Sequence, residues 1–286
     1  MKFIKILSVV LVFSILICSF AGCKKETGYP VVIGETEISQ PPATVAVLSE
    51  QAASAIFALG YKSYLVGAPT EFLNAEISGV TDLGKSMSID FEKVYNLAPE
   101  LLIVHGELEE SVKANLTARN IKVVMLKTPT KYNEVAPYYE ALSKIFLGSI
   151  KYTEAYDAYI GETERIITET AASLSGVTKK VVLFVETGFV ATGDTIAGEA
   201  MKKAGFTNIA ENNLAYIMPD ADIISSNPDV IFCPPETAGA IMKNESYKDI
   251  TAIKNAAVYE VDVEALVYAS EGFSATLQSM SKYLLQ

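Results

Sequence analysis

The chain has 286 residues, half of them hydrophobic, and a formal net charge of −11. That length and apolar content suit one large domain or two lobes, while the acidic balance lacks the basic footprint that nucleic-acid binding requires. One histidine and three cysteines leave little scope for histidine-based acid–base chemistry or a disulfide framework.

Residues 1–5 make a basic start, with Lys2 and Lys5. Residues 6–18 are almost wholly apolar and too short to span a bilayer comfortably, so the pattern reads as the core of a secretory signal. The run Phe20-Ala21-Gly22-Cys23 that follows resembles the bacterial lipobox, with Phe20 where leucine is usual. The resemblance implies cleavage after residue 22 and diacylglyceryl on the Cys23 thiol, which holds the exported chain at a cell-envelope membrane, on the outer face of the cytoplasmic membrane. Residues 1–22 carry Lys2, Lys5 and no acid; without them 21 basic and 34 acidic side chains remain, a net charge of −13. Cys18 leaves with the signal and Cys23 takes lipid. Cys233 is then unpaired, and its apolar surroundings predict a small buried residue.

Residues 23–42 are polar and hold Gly28, Pro30 and Gly34, which reads as a lipid-anchored tether. Beyond Pro41-Pro42, short apolar strands at 44–48, 64–66, 101–104 and 122–126 alternate with helical patterns at 51–59, 91–97, 109–119 and 132–147. This rhythm predicts a mainly parallel sheet covered by helices, an N-terminal lobe over 43–148. In residues 149–174 the apolar positions Tyr152, Tyr156, Tyr159, Thr163, Ile166, Ile167, Thr170 and Leu174 follow three- and four-residue steps. One long helix linking two lobes is expected over 149–176. Strands at 181–185, 230–233 and 258–261 and helices at 196–204, 221–226 and 273–285 make a C-terminal lobe over 177–286. The fold class expected is α/β: two doubly wound lobes, one bridging helix, and a ligand cleft between the lobes.

The lobes repeat each other in part. Residues 92–103 (EKVYNLAPELLI) align with 221–232 (ADIISSNPDVIF); each gives a short helix, a Pro-acid turn and a buried strand. Residues 55–61 (AIFALGY) align with 200–206 (AMKKAGF), each a helix ending at glycine.

Residues 45–60 (VAVLSEQAASAIFALG), 84–104 (GKSMSIDFEKVYNLAPELLIV) and 225–232 (SSNPDVIF) resemble, in order, the signatures of cobalamin- and siderophore-type substrate-binding lipoproteins of ABC importers, the class III periplasmic binding proteins. The resemblance covers nearly all of the chain after residue 22. It implies a receptor that captures an iron chelate, haem or corrinoid and delivers it to an importer permease. The expected partners are that permease, the small-molecule ligand and, through lipid, the membrane. A monomer without a resident cofactor is expected. The family pattern also implies an acid on each lobe that meets the permease. Glu92 occupies the first position; Ala221 stands at the second, flanked by Asp220 and Asp222, which are the candidates there.

Ligand contacts are expected at the carboxyl ends of the strands, where α/β sheets place their crevices. In the first lobe these are Ser49, Glu50, Thr70, Glu71, Phe72, Ser86, Met87, His105 and Glu107. In the second they are Thr187, Phe189, Tyr216, Glu236 and Tyr268. The set holds acids and no arginine, which argues against a strongly anionic ligand. His105 is a candidate axial ligand for the metal of a corrinoid or haem, against a purely structural role. A free metal ion is not expected, because such sites need several close histidine or carboxylate ligands.

Two readings compete with transport. One is a tethered receptor that presents ligand to a membrane sensor. The other is an exported enzyme, and against it Gly193 to Gly198 has phosphate-loop spacing but continues Glu199-Ala200 where Lys-Ser/Thr is required.

Overall fold

Short apolar runs bounded by turn residues become strands because only a sheet buries them on both faces, and the computed structural model, which describes residues 27–74 and 77–286, shows two such sheets. The signal segment and Cys23 lie outside the described residues.

Val31–Ile33 (β1) and Thr36–Ile38 (β2) form an antiparallel hairpin. This corrects the expectation that residues 23–42 are wholly tether. Val31, Ile33 and Ile38 alternate inward and are buried, and Gly34 turns the chain at φ 59°. The hairpin packs on the flank of the first lobe, where Thr36 Oγ1 donates to the Val123 carbonyl at 2.8 Å and Lys122 Nζ to the Glu37 carbonyl at 2.7 Å. Upstream, the Tyr29 hydroxyl donates to the Ile145 carbonyl at 2.7 Å, and the Ser149 amide and hydroxyl donate to the Gly28 carbonyl at 2.8 and 2.9 Å.

The first lobe follows as Val45–Val47 (β3), Glu50–Ala58 (α1), Leu65–Ala68 (β4), Thr81–Asp82 (β5), the hairpin Gly84–Lys85 (β6) and Ser88–Ile89 (β7), Phe91–Leu97 (α2), Leu101–Val104 (β8), Glu110–Ala118 (α3) and Lys122–Met125 (β9). Its sheet runs β5-β4-β3-β8-β9, with every pairing parallel. Tyr132–Tyr156 (α4) then runs down the lobe and breaks at Gly148, whose φ of 73° and ψ of 176° are not helical. From Ser149 the helix continues through a π turn at Asp157–Gly161 into Glu162–Ser173 (α5). Twenty-five residues at 1.5 Å each reach about 37 Å, so the bridging helix expected from the sequence is present, reshaped by one π turn.

The second lobe contains Lys180–Glu186 (β10), Phe189–Val190 (β11), Ile196–Lys203 (α6), Thr207–Asn208 (β12), Asp220–Ser226 (α7), Val230–Cys233 (β13), Pro235–Met242 (α8), Thr251–Lys254 (α9), Val258–Glu260 (β14), Val263–Tyr268 (α10) and Phe273–Leu284 (α11). Strands β12, β10, β13 and β14 are parallel neighbours, and β11 adds antiparallel to the upper part of β10. Two doubly wound α/β lobes bridged by a long helix is therefore the architecture. Among the described residues Cys233 is unpaired; it is buried, and burial raises its thiol pKa.

The repeat between lobes extends to atoms. Helices α2 and α7 both end on a left-handed residue before proline, Ala98 at φ 47° and Asn227 at φ 47°. After each proline the acid pins the start of the neighbouring strand: Glu100 accepts the Ala43 amide at 2.7 Å, and Asp229 accepts the Lys180 amide at 2.7 Å. Helices α8, α9 and α10 fall in stretches where no helix is expected from the sequence. Pro234 and Pro235 look like breakers, yet proline in the first helical turn loses no hydrogen bond, and α8 starts there.

Candidate ligand-binding cleft

The cleft is built on the carboxyl ends of β10, β13 and β14. Glu186 at the end of β10, Pro234 just past β13 and Val261 just past β14 face a cavity of about 660 Å³. Pro235 and Glu236 add the first turn of α8, and Asp262, Val263, Glu264, Val267 and Tyr268 add α10 with its cap. Asp262 caps that helix by accepting the Ala265 amide at 3.0 Å.

Tyr216 enters the cavity from a turn in which Ala215 (φ 56°) and Tyr216 (φ 62°) are both left-handed. Such a conformation is costly for residues with a side chain, and several bonds impose it. The Ala215 amide donates to both Asp194 carboxylate oxygens at 3.1 and 3.0 Å, and the Tyr216 amide to Thr192 Oγ1 at 3.0 Å. Thr192 in turn donates to Asp194 at 2.6 Å. Desolvation pushes the Asp194 carboxyl up, but the bonds from Thr192 and Ala215 outweigh it and hold it below the usual range.

The cavity lining comes wholly from the second lobe, and the first lobe is tied to that wall through α1. Helix α10 packs against α1 on one side and against α6 and β10 on the other, so it sits between the lobes. There the Tyr268 hydroxyl donates to Glu50 Oε2 at 3.0 Å. Burial raises the Glu50 carboxyl above its ordinary value; the Tyr268 bond opposes the rise and the Glu71 charge adds to it. Glu264 is raised by burial and then by Glu50 and Asp262.

Of the sequence candidates, Phe189, Tyr216, Glu236 and Tyr268 line this cavity together, and Glu50 joins them through Tyr268. Ser49 is the N-cap of α1 and accepts the Ala52 amide at 3.2 Å. Thr187 is exposed in the turn between Glu186 and Phe189. A separate group forms on the first lobe: Thr70 donates to Asp82 at 2.7 Å, and Glu71 accepts the Ser86 amide at 3.0 Å. Met87 beside them is 96% exposed. The Phe72 ring packs edge-on against Phe57 at 4.9 Å, as part of the core. Glu107 lines a different groove, about 840 Å³, under the β1–β2 hairpin. His105 is exposed at the end of β8 and lines neither cavity. Among the described residues, no group of three or more His, Cys, Asp or Glu is placed to hold a metal ion. No described helix is long and apolar enough to cross a membrane.

Sequence reasoning missed α10 as a wall of the cleft. Its signal was there: Asp262 is a capping residue followed by Val263, Leu266 and Val267 at helical spacing.

The docking candidates occupy matching places. Glu92 lies exposed in the first turn of α2, and Asp220 and Asp222 lie exposed in the first turn of α7. Each helix leads down into a parallel strand, so each begins at the end of its sheet that carries the cleft. Asp220 accepts the Tyr247 hydroxyl at 2.7 Å, whereas the Asp222 carboxylate has no partner among the described residues.

Comparison with known proteins agrees with this architecture. An uncharacterized ABC transporter substrate-binding lipoprotein of Bacillus subtilis (strain 168), YvrC, is 26% identical over 258 residues, 84% of this chain and 80% of YvrC. The periplasmic haem-binding protein HutB of Vibrio cholerae superposes with a TM-score of 0.71 at 17% identity, over 85% of this chain and 99% of HutB. The vitamin B12-binding protein BtuF of Vibrio cholerae does so at 0.66 and 17% identity, over 86% of this chain and 97% of BtuF. Residues 45–265 match the periplasmic binding protein family, and the chain is a member of it.

Proposed function

We propose that this protein captures a chelated-metal ligand, an iron chelate, haem or corrinoid, and hands it to the permease of an ABC importer. The observation that carries the reading is the 660 Å³ cavity at the carboxyl ends of β10, β13 and β14, walled by aromatic, apolar and acidic side chains. Its volume falls within the range of small-molecule sites. The likeness to YvrC supports the transport assignment, and the haem and B12 receptors supply the ligand classes. The role is binding, not catalysis. Phe189, Tyr216, Glu236, Tyr268 and Glu50 are the contacts we assign, with the first-lobe group Thr70, Glu71, Ser86 and Met87 as the opposing rim. Glu92 and Asp222 meet the permease, and lipid on Cys23 holds the receptor at the outer face of the cytoplasmic membrane. The units are lobes over 43–148 and 177–286, with residues 149–176 as the bridge.

Thermal denaturation in the presence of haemin, cobalamin and ferric siderophores tests the reading. At a hundredfold excess over Kd a ligand stabilises the native state by about 2.7 kcal/mol, which raises Tm by roughly 5–10 °C for a chain of this size. No rise with any of the three classes would remove the assignment and leave the fold as described.

A further inference from the structure

The carboxylates that reach the cavity have no cation beside them. Glu186, Glu236 and Glu264 line it, and none of the three makes a side-chain hydrogen bond or ion pair among the described residues. Asp262 joins them with one oxygen committed to its helix cap. No lysine or arginine lines the cavity. The seven ion pairs of the described residues all lie elsewhere. From the first lobe Glu50 adds a carboxylate of the same sign, reaching Tyr268 on the cavity wall at 3.0 Å.

Carboxylates gathered around one cavity repel each other, and the repulsion is stronger where water is partly excluded. Such an arrangement is maintained at a cost unless a ligand supplies the opposite charge. Aromatic rings in the same wall point to the same sign. Phe189 is 41% exposed at the cavity. Tyr216 is aimed into it by a turn that its backbone would not adopt unaided, and Tyr268 completes the set. Ring faces attract cations and are indifferent or unfavourable to anions.

We propose that the cleft selects a ligand that carries positive charge on the part meeting the second lobe, and that it rejects polyanionic chelates. The ligand class is thus a cationic metal chelate, one with a free ammonium group or a net positive metal centre, in preference to a catecholate complex or a macrocycle bearing carboxylates. The assignment rests on the reading of the cavity as the ligand site. Positive charge between Glu264 on α10 and Glu50 on α1 also removes the repulsion across the lobes, so binding draws the two helices together.

The experiment measures Kd for four probes of graded charge on the full chain: ferrioxamine B (cationic), cyanocobalamin (neutral), haemin (carboxylate-bearing) and ferric enterobactin (polyanionic). The expected order of affinity follows that order of charge. In a double variant, Glu236→Gln with Glu264→Gln, ferrioxamine B affinity falls about tenfold or more, a larger factor than the fall in cyanocobalamin affinity. Neither side chain makes a side-chain hydrogen bond or ion pair among the described residues, so the variant keeps its fold, and Glu264→Lys extends the loss. Tighter binding of ferric enterobactin or haemin than of ferrioxamine B overturns the charge assignment and leaves the cleft as the ligand site. Equal losses for the cationic and neutral probes overturn it too, since the carboxylates would then act through shape. Failure of all four probes to bind overturns the reading of the cavity and the charge assignment with it.

Discussion

Glu50 shows how one side chain serves two lobes. It is the first residue of α1, next to the Ser49 cap, and its carboxylate receives the Tyr268 hydroxyl from the other lobe. Burial lifts its pKa above the unfolded value, so its contribution to stability is present below the unfolded pKa and lost as pH rises through the folded one. Glu50→Gln keeps an oxygen for Tyr268 and removes the charge. The variant is therefore expected to gain more Tm over wild type at about pH 7 than at about pH 4, where wild type is already largely neutral at this position. Thermal melts of both proteins at the two pH values check the sign, and an equal difference at both would show that Glu50 carries no buried charge. At this scale the sequence was partly legible. Phe189, Tyr216, Glu236 and Tyr268, which line the cavity, were candidates because they follow strands or sit in polar, aromatic loops. Phe72 and Glu107 were indistinguishable from them by that criterion, since a loop's position after a strand says nothing about which neighbour its side chain turns toward.

Elements were more legible than contacts. Strand β8 is Leu101–Val104 and β13 is Val230–Cys233, both wholly buried, as their unbroken apolar runs require. The helix–Pro–acid–strand unit recurs in both lobes with the same left-handed cap and the same carboxylate-to-amide bond, which makes the pair a structural repeat and not a coincidence of letters. The two caps differ in residue. Asparagine tolerates the left-handed region; alanine at Ala98, with φ 47° and ψ 56°, does not. Ala98→Gly relieves roughly 1–2 kcal/mol of backbone strain against a loss of about 0.5–1 kcal/mol to chain entropy. A net gain up to about 1.5 kcal/mol is expected, a rise of roughly 3–6 °C in Tm at most. A lowered Tm would show that the cap is not strained. Gly148 is the reverse case. A Cβ there would stand 2.8 Å from the Thr27 carbonyl oxygen, so the break between α4 and the bridging helix and the docking of the N-terminal arm share one glycine.

For the molecule as a whole, the arm shortens the leash. From Gly28 onward the chain is bonded to the head of the bridging helix and then paired as β1 and β2 against the first lobe. Lipid on Cys23 would thus hold the folded body close to the membrane and raise its effective concentration at a permease. Glu92 and Asp222 begin matching helices at the cleft ends of their sheets, with Asp220 tied to Tyr247. Glu92→Lys is expected to impair uptake of the ligand by cells while leaving its Kd unchanged, as read by transport assays beside equilibrium binding. Uptake at the wild-type rate would remove Glu92 from the docking surface.

The sequence by itself determined the principal strands and helices of both lobes, the bridging helix and the repeat of the lobes. Burial imposes a period on each segment, and that period is written locally. The tertiary structure alone decided that residues 31–38 join the first lobe, and that α10 wedges between the lobes to bring Tyr268 to Glu50. It alone gathered the cleft's uncompensated carboxylates around one cavity. These depend on which distant surfaces meet, and a contact across more than two hundred residues leaves no period in the chain.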